Sequence, residues 1–468
     1  MRAEAVMPAS AAPLAGDVLG HPRGLWYLCF AEAWERFSYY GMNGLLVLYL
    51  TQYLLLPGHV EHVAGFVAFK AALEQGYGTL PTPIALAAAI TGVYTSGVYI
   101  TPILGGLIAD RWLGRTATVT LGALLMVLGH FLMAFDVSFV VALLCLFVGV
   151  GCFKGNIASQ VGELYGPADL RRADAYQAFM LGIQLAIIVS PLVCGTLGQK
   201  VAWHWGFGAA GIGMLLGLVV YLSGRRYLPG ERARGPRARA ERPKLTRRDR
   251  VAVAVLVAML PALALCSIAN QEIFNAYEVW GHAHYDRNLL GFELPVTWLL
   301  SLDATISTCT MAATLLFWRW YSRRRREPDE IIKIIIGAVI GACGPLLLAA
   351  GAAEEAATGQ KVSLLWGLAF HIVNNFSFAM IFPVGLALFS RASPRGVGGM
   401  IIGIYYLHLA MANLATGHLG GLLEKMSGVA FWVMHSGLVA TGAVAMGVFA
   451  LLFRKILAPT AESVPSAG

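Results

Sequence analysis

Glu32, Glu35, Arg36 and Tyr39 stand at intervals of three and four within Glu32-Ala33-Trp34-Glu35-Arg36-Phe37-Ser38-Tyr39-Tyr40-Gly41. On an α-helix these positions share one face, while Trp34 and Phe37 turn towards others. The surrounding residues are apolar enough to span a bilayer, where each charge costs at least ~2.5–3.5 kcal/mol. Such a stripe must therefore face a bundle interior or a water-filled cavity. It reads either as a structural ion pair that neutralises itself or as part of a substrate or proton pathway, and the pathway is the reading adopted. A guanidinium suits bidentate capture of a carboxylate, and carboxylates can carry protons.

A second cation, Lys154, lies mid-span in Gly149-Val150-Gly151-Cys152-Phe153-Lys154-Gly155-Asn156-Ile157 and needs an acidic partner, for which Glu32 and Glu35 are the candidates. A Lys/Glu pair that exchanges a proton with water as a bundle opens would couple proton and substrate movement. In Gly105-Gly106-Leu107-Ile108-Ala109-Asp110-Arg111-Trp112-Leu113-Gly114-Arg115, small residues permit close helix approach and Asp110, Arg111 and Arg115 can form a charge latch at a helix end. Enzymatic patterns are missing: the chain has no Gly-x-Ser-x-Gly, no acyltransferase His-x-x-x-x-Asp and no paired His/Asp on one helix face. The seven cysteines lie in apolar stretches without CxxC spacing and read as small core residues.

The elements that hold these residues are helices of a membrane protein. Of 468 residues 57% are hydrophobic and 13% charged, with a mean hydropathy of +0.66. Apolar runs at 24–54, 84–109, 116–135, 138–164, 175–198 and 205–224 are followed by six more at 251–280, 296–321, 331–351, 363–390, 398–422 and 430–453. The expected fold is all-α, with 12 transmembrane helices in two six-helix bundles, 24–224 and 251–453. Tails at 1–23 and 454–468 flank them, and the first span is expected to be retained rather than cleaved as a leader. An external segment, 55–83, contains an imperfectly amphipathic short helix, and 225–250 is a linker with eleven Lys/Arg. Placing the termini in the cytoplasm puts 27 of the 34 basic residues inside and five outside. The net charge of +8 thus reflects topology, not nucleic-acid binding.

The Gly106-x-x-x-Asp110-Arg111-x-x-Gly114-Arg115 loop resembles that of the major facilitator superfamily, and Glu32-x-x-Glu35-Arg36-Phe37-x-Tyr39-Tyr40-Gly41 with the Lys154 segment resembles the proton-dependent oligopeptide transporter family within it. The resemblance implies a proton-coupled symporter of di- or tripeptides working by alternating access, with protons as the coupling ion and no other cofactor. It implies proton coupling at Glu32, Glu35 and Lys154, and a clamp for the peptide carboxylate at Arg36, with Lys154 and Asn156 nearby and Tyr39 and Tyr40 lining the site; Tyr94, in the second span, either adds a hydroxyl to the site or serves packing. It also implies a bacterial inner-membrane protein, working as a monomer in the lipid bilayer on a small peptide or peptide-like partner.

Several positions depart from the family pattern. Met180 and Gln184 replace its Tyr and Asn in the fifth span, and Asn270 stands at the acidic position of the seventh, with Glu272 about 200° round the helix. Phe378 replaces an amine-binding Glu in the tenth, while Asp303 replaces an Asn in the eighth. Asp303 is expected to take over the amine contact beside Phe378; a helix–helix hydrogen bond to Ser301, Thr305 or Ser307 is its other use. Glu272, Glu278 and His282 are expected near the outer interface. These departures also admit a carrier or exporter of another peptide-like or carboxylate metabolite.

Overall fold

Local signals in the sequence set the helix boundaries. Thr82 caps α3 (Pro83–Ile108), its side chain accepting from the Ala85 amide with Pro83 at the first position. Asp329 caps α12 (Glu330–Thr358) through the Ile332 amide, and Gly359 ends it at φ 69°. A computed structural model of the chain describes residues 17–166, 169, 171–230, 246–394 and 398–457. Most of the expected tails and the heart of the basic linker, 231–245, lie outside the described residues, as does Arg395.

In the first half α1 (Arg23–Tyr49) is followed by α2 (Phe66–Tyr77), α3, α4 (Arg115–Leu132), α5 (Phe139–Glu163), α6 (Arg171–Thr196) and α7 (Trp203–Ser223). The helix expected in the external segment is α2, which keeps Phe66 and Leu73 buried and most other side chains partly or fully exposed. In the second half α8 (Arg247–Ala258), α9 (Leu260–Gln271) and α10 (Ala276–His284) make one broken rod, followed by α11 (Trp298–Ser322), α12, α13 (Leu364–Ala392), α14 (Gly398–Leu419) and α15 (Gly428–Leu457).

Eleven helical stretches among the described residues are long and apolar enough to cross a membrane. The twelfth long helix is α1, whose apolar character is interrupted by the charged stripe. Its 27 residues give ~40 Å of helix, and Arg36 sits ~20 Å along it, at mid-depth.

The halves meet at the end opposite the termini. There α3 and α14 touch through small residues: a side chain on Gly92 would strike the Asn413 carbonyl and Gly417, and Gly420 lies against Ala88. The same end holds Thr196 Oγ1 accepting from Trp298 Nε1 at 2.8 Å, and Gln199 Oε1 accepting from the Val296 amide at 3.0 Å. Above it, strands β1 (Asn288–Leu289) and β2 (Phe292–Glu293) form a hairpin turned by Leu290 and Gly291, both at positive φ. Lys200, at the end of α6, donates to Glu293 at 3.3 Å, and with Arg287 it holds that carboxyl below the usual carboxylate range.

From Ala85 beside Gly421 to the Tyr99–Tyr406 ring pair at 6.4 Å, the α3–α14 contact covers ~21 Å. Beyond it, towards the end that carries the termini, Ile103, Leu104 and Leu107 of α3 are 40–57% exposed. The α3–α14 contact thus closes the end opposite the termini.

Candidate functional site

The stripe on α1 lies in the interior. Glu32, Glu35 and Arg36 are 3%, 0% and 3% exposed. Arg36 Nε lies 3.0 Å from Glu32 Oε1 and 2.5 Å from Glu35 Oε2. These are charge contacts rather than aligned hydrogen bonds: Arg36 Nε and Nη2, both Glu35 oxygens and Glu32 Oε2 are buried with no hydrogen-bond partner among the described residues. Buried polar atoms are seldom left so, and here they mark where water or a ligand would complete the site.

Lys154, on α5, is half-buried and makes no ion pair within 4 Å among the described residues; its ammonium sits over the Tyr99 ring, 4.9 Å from the centroid. The direct Lys154–Glu contact read from the sequence is not formed in this arrangement, although the charges of Glu32, Glu35, Arg36 and Lys154 interact at longer range. Arg36 takes both carboxylates because it lies one and four residues from them on the same helix.

Aromatic rings wall the cluster. Tyr39 lies 5.4 Å under the Arg36 guanidinium, packs edge-on against Tyr40 and stacks on Tyr94 at 6.2 Å. Tyr40 reaches Phe274, just before α10, and Tyr99 stacks on Tyr406 of α14, so rings join the halves on two sides. Asn156 faces away from this space: Nδ2 donates to the Gly105 and Cys152 carbonyls at 3.2 and 2.9 Å, tying α5 to α3. At the end that carries the termini Arg115 bonds Glu163 closely and stands 4.0 Å from Asp110, while Arg111 is exposed. The latch thus links the loop after α3 to the end of α5, with Glu163 a partner the motif alone did not supply.

On the opposite wall Asn270 accepts from its neighbour Gln271 at 2.9 Å. Phe378 stacks on Phe382 at 5.1 Å. Gln184 donates to Thr308 at 3.0 Å, joining α6 to α11, and Met180 is 54% exposed. Asp303 is tied to neither Ser301, Thr305 nor Ser307. Its Oδ1 accepts from His371 Nδ1 at 2.8 Å and from Asn375 Nδ2 at 2.5 Å, both on α13. Asp303 Oδ2 has no hydrogen bond among the described residues, and the side chain keeps 15% of its surface, so one carboxylate oxygen stays available.

Glu272 and Glu278, expected near the outer interface, are enclosed by the protein, each 1% exposed, whereas His282 is partly exposed. Glu272 spans the break in the seventh rod, Oε1 accepting from the Ala276 amide at 3.1 Å and Oε2 lying 3.2 Å from His435 Nε2 on α15. The break frees backbone amides, and a carboxylate at the new helix start satisfies one of them. The cysteines divide: Cys29, Cys152, Cys194 and Cys266 are buried, whereas Cys309 and Cys343 are exposed on the helix surface.

A family model described as the POT family matches residues 116–242 and 240–436. A di-/tripeptide transporter of Lactococcus lactis subsp. lactis (strain IL1403) is 30% identical over 464 residues, covering 92% of this chain and 83% of its own. A peptide transporter of Yersinia enterocolitica subsp. palearctica is 26% identical over 472 residues, covering 86% of this chain and 88% of its own. A crystal structure of a peptide transporter POT in complex with sulfate has the same fold, with a TM-score of 0.80 at 23% identity over 94% of this chain and 96% of that one.

Proposed function

Since the chain belongs to the POT family and is a multi-pass membrane transporter rather than an enzyme, we propose that it imports di- and tripeptides by proton symport, rocking its two bundles about the Arg36 site. The observation that carries this reading is the buried cluster on α1, where two carboxylates compete for one guanidinium whose Nη2 has no hydrogen-bond partner among the described residues.

Charge balance gives the mechanism. Glu32, Glu35, Arg36 and Lys154 sum to zero when all are ionised. A peptide carboxylate on Arg36 would bring a net negative charge into a space that tolerates it poorly. Taking up one proton on the displaced glutamate restores neutrality, so substrate and proton bind best together. Lys154, over Tyr99 at the ring contact between the halves, becomes the counter-ion for whichever carboxylate leaves Arg36. The free oxygen of Asp303 faces the peptide amine from the other half.

The closed end, opposite the termini, is read as the outer face of a bacterial inner membrane, with both termini in the cytoplasm; the arrangement is then the one that releases substrate inward. Proteoliposomes test this directly. Labelled dialanine should accumulate under an inward proton gradient, and gradient-independent uptake would reject symport.

A second reading, carriage of another peptide-like or carboxylate metabolite in either direction, is favoured by one feature. The wall of Phe378, Phe382 and Asn270 is uncharged on the half that must meet an amine. Competition of dialanine uptake by peptides and by amine-free carboxylates separates the two.

A further inference from the structure

Behind Asp303 lies a line of hydrogen bonds unconnected with the cluster on α1. Tyr285 OH donates to Tyr277 OH at 3.4 Å, Tyr277 OH lies 2.8 Å from His371 Nε2, and His371 Nδ1 lies 2.8 Å from Asp303 Oδ1. Tyr277, Tyr285 and His371 are all fully buried. Only one set of proton positions satisfies every member: Tyr285 donates to Tyr277, Tyr277 to Nε2, and Nδ1–H to Asp303. His371 is then neutral in this closed-end arrangement.

We propose that His371, with Asp303 as its counter-ion, is a second proton-carrying site, placed in the C-terminal half and governed by the position of α10. The geometry couples protonation to that helix. Adding a proton from water to Nε2 makes an imidazolium that donates from both nitrogens, one bond meeting the Asp303 carboxylate. Tyr277 then accepts from Nε2 and turns its own hydroxyl to Tyr285 OH, and the Tyr285 hydrogen has no acceptor among the described residues. That leaves a buried donor unsatisfied, which disfavours the protonated state while α10 is seated. When α10 moves away from α13 the conflict disappears, so the outward-open form takes up the proton and the form described here returns it to water, past the partly exposed Asp303.

The groups facing this pair are few. From α11 there is Asp303; from α10, Tyr277 with Tyr285 behind it and the carboxyl of Glu278 beside it. From α1, Tyr40 lies within electrostatic reach of Asp303. On α13 itself Asn375 is bonded to Asp303. From α12, Gly344 packs on Phe370 and Asn374. From α15, Trp432 meets Tyr277, and His435 is occupied by Glu272.

The inference rests on the proton-symport reading, and the test keeps the two apart. Dialanine accumulation at zero net flux is measured in proteoliposomes at an inward pH difference of one unit, where each coupled proton contributes about tenfold. His371→Gln should reach an accumulation about tenfold lower than the wild type, while keeping the wild-type pH dependence of dialanine affinity. Asp303→Asn should show the same tenfold loss, which guards against a His371 variant that does not fold. A merely structural role would slow the approach to the plateau without lowering it. Equal plateaus for wild type and either variant would overturn the second site, and a wild type that accumulates nothing would overturn symport itself.

Discussion

Replacing Glu35 by glutamine changes one charge in the cluster and little else. The side chain is fully buried and its Oε2 is the atom nearest Arg36, at 2.5 Å against 3.0 Å for Glu32. In the wild type a peptide carboxylate must displace a glutamate from Arg36, and the cluster takes up one proton as it does so. The bound state then holds one more proton than the free state, so affinity falls as pH rises from 6 to 8, by up to about tenfold for each unit over which the free cluster is ionised. In Glu35→Gln the free cluster is already one unit positive, and the peptide neutralises it without a proton. The variant should change affinity by less than about threefold over the same range. At pH 8 it should bind dialanine about tenfold or more tightly than the wild type, because one carboxylate no longer competes for the guanidinium and no proton has to be taken up on binding. Titration of the purified protein with dialanine at both pH values measures this. A variant that keeps the wild-type pH slope would refute the charge-balance argument.

Other substitutions isolate single contacts. Lys154→Ala should lose gradient-driven accumulation while retaining dialanine counterflow, because the counter-ion needed when a carboxylate leaves Arg36 is gone; equal loss of both activities would count against this role. Gly92→Leu should stop the closed end from forming, since the new side chain strikes the Asn413 carbonyl and Gly417 at a cost of ~1–3 kcal/mol. An Ala88→Cys probe on that background should then react with a membrane-impermeant maleimide added outside, and continued protection would contradict the packing. Asn156→Ala should lower thermal stability slightly, by ~0.6 kcal/mol for its interhelical bond, and leave dialanine affinity unchanged, because Nδ2 is spent on the Gly105 and Cys152 carbonyls; weakened binding would return Asn156 to the substrate site.

Much of the frame was legible because a bilayer restricts the chain to a few signals. Helix spacing put Glu32, Glu35 and Arg36 on one face, and the structure buries all three. The six-and-six arrangement and the family were readable from apolar runs and two motifs, and the family comparison gives the same family. What a single helix face could not show was how partners divide between helices. Charge alone assigns Lys154 to the glutamates, yet a ring on α3 also attracts an ammonium, and Lys154 sits 4.9 Å from the Tyr99 centroid with no carboxylate within 4 Å among the described residues. Asp303 stands out in the sequence as an added acid, but its partners His371 and Asn375 sit about 70 residues away on another helix, four apart on one face. That spacing was the available signal. Tyr277 and His435 gave none, since lone aromatic or imidazole side chains in an apolar run usually serve packing.

The two halves share a frame but handle buried charge differently, and this bears on how such a carrier keeps its steps in order. On α1 the charges are permanent unless a ligand or proton enters, and Arg36 remains cationic throughout. In the second half two acids each face a histidine: Asp303 with His371, and Glu272 with His435 across the break before α10. Imidazoles can lose their charge, so these contacts can change strength without a ligand present. A permanent cation suits the step that must wait for substrate. A titratable pair beside a broken helix suits the step that must reset afterwards, when the site is empty and only protons remain to drive the change. The loss of acids at Asn270 and Phe378 then ceases to be a gap in the site: negative charge lies one layer back, at Asp303 and Glu272, each beside a histidine.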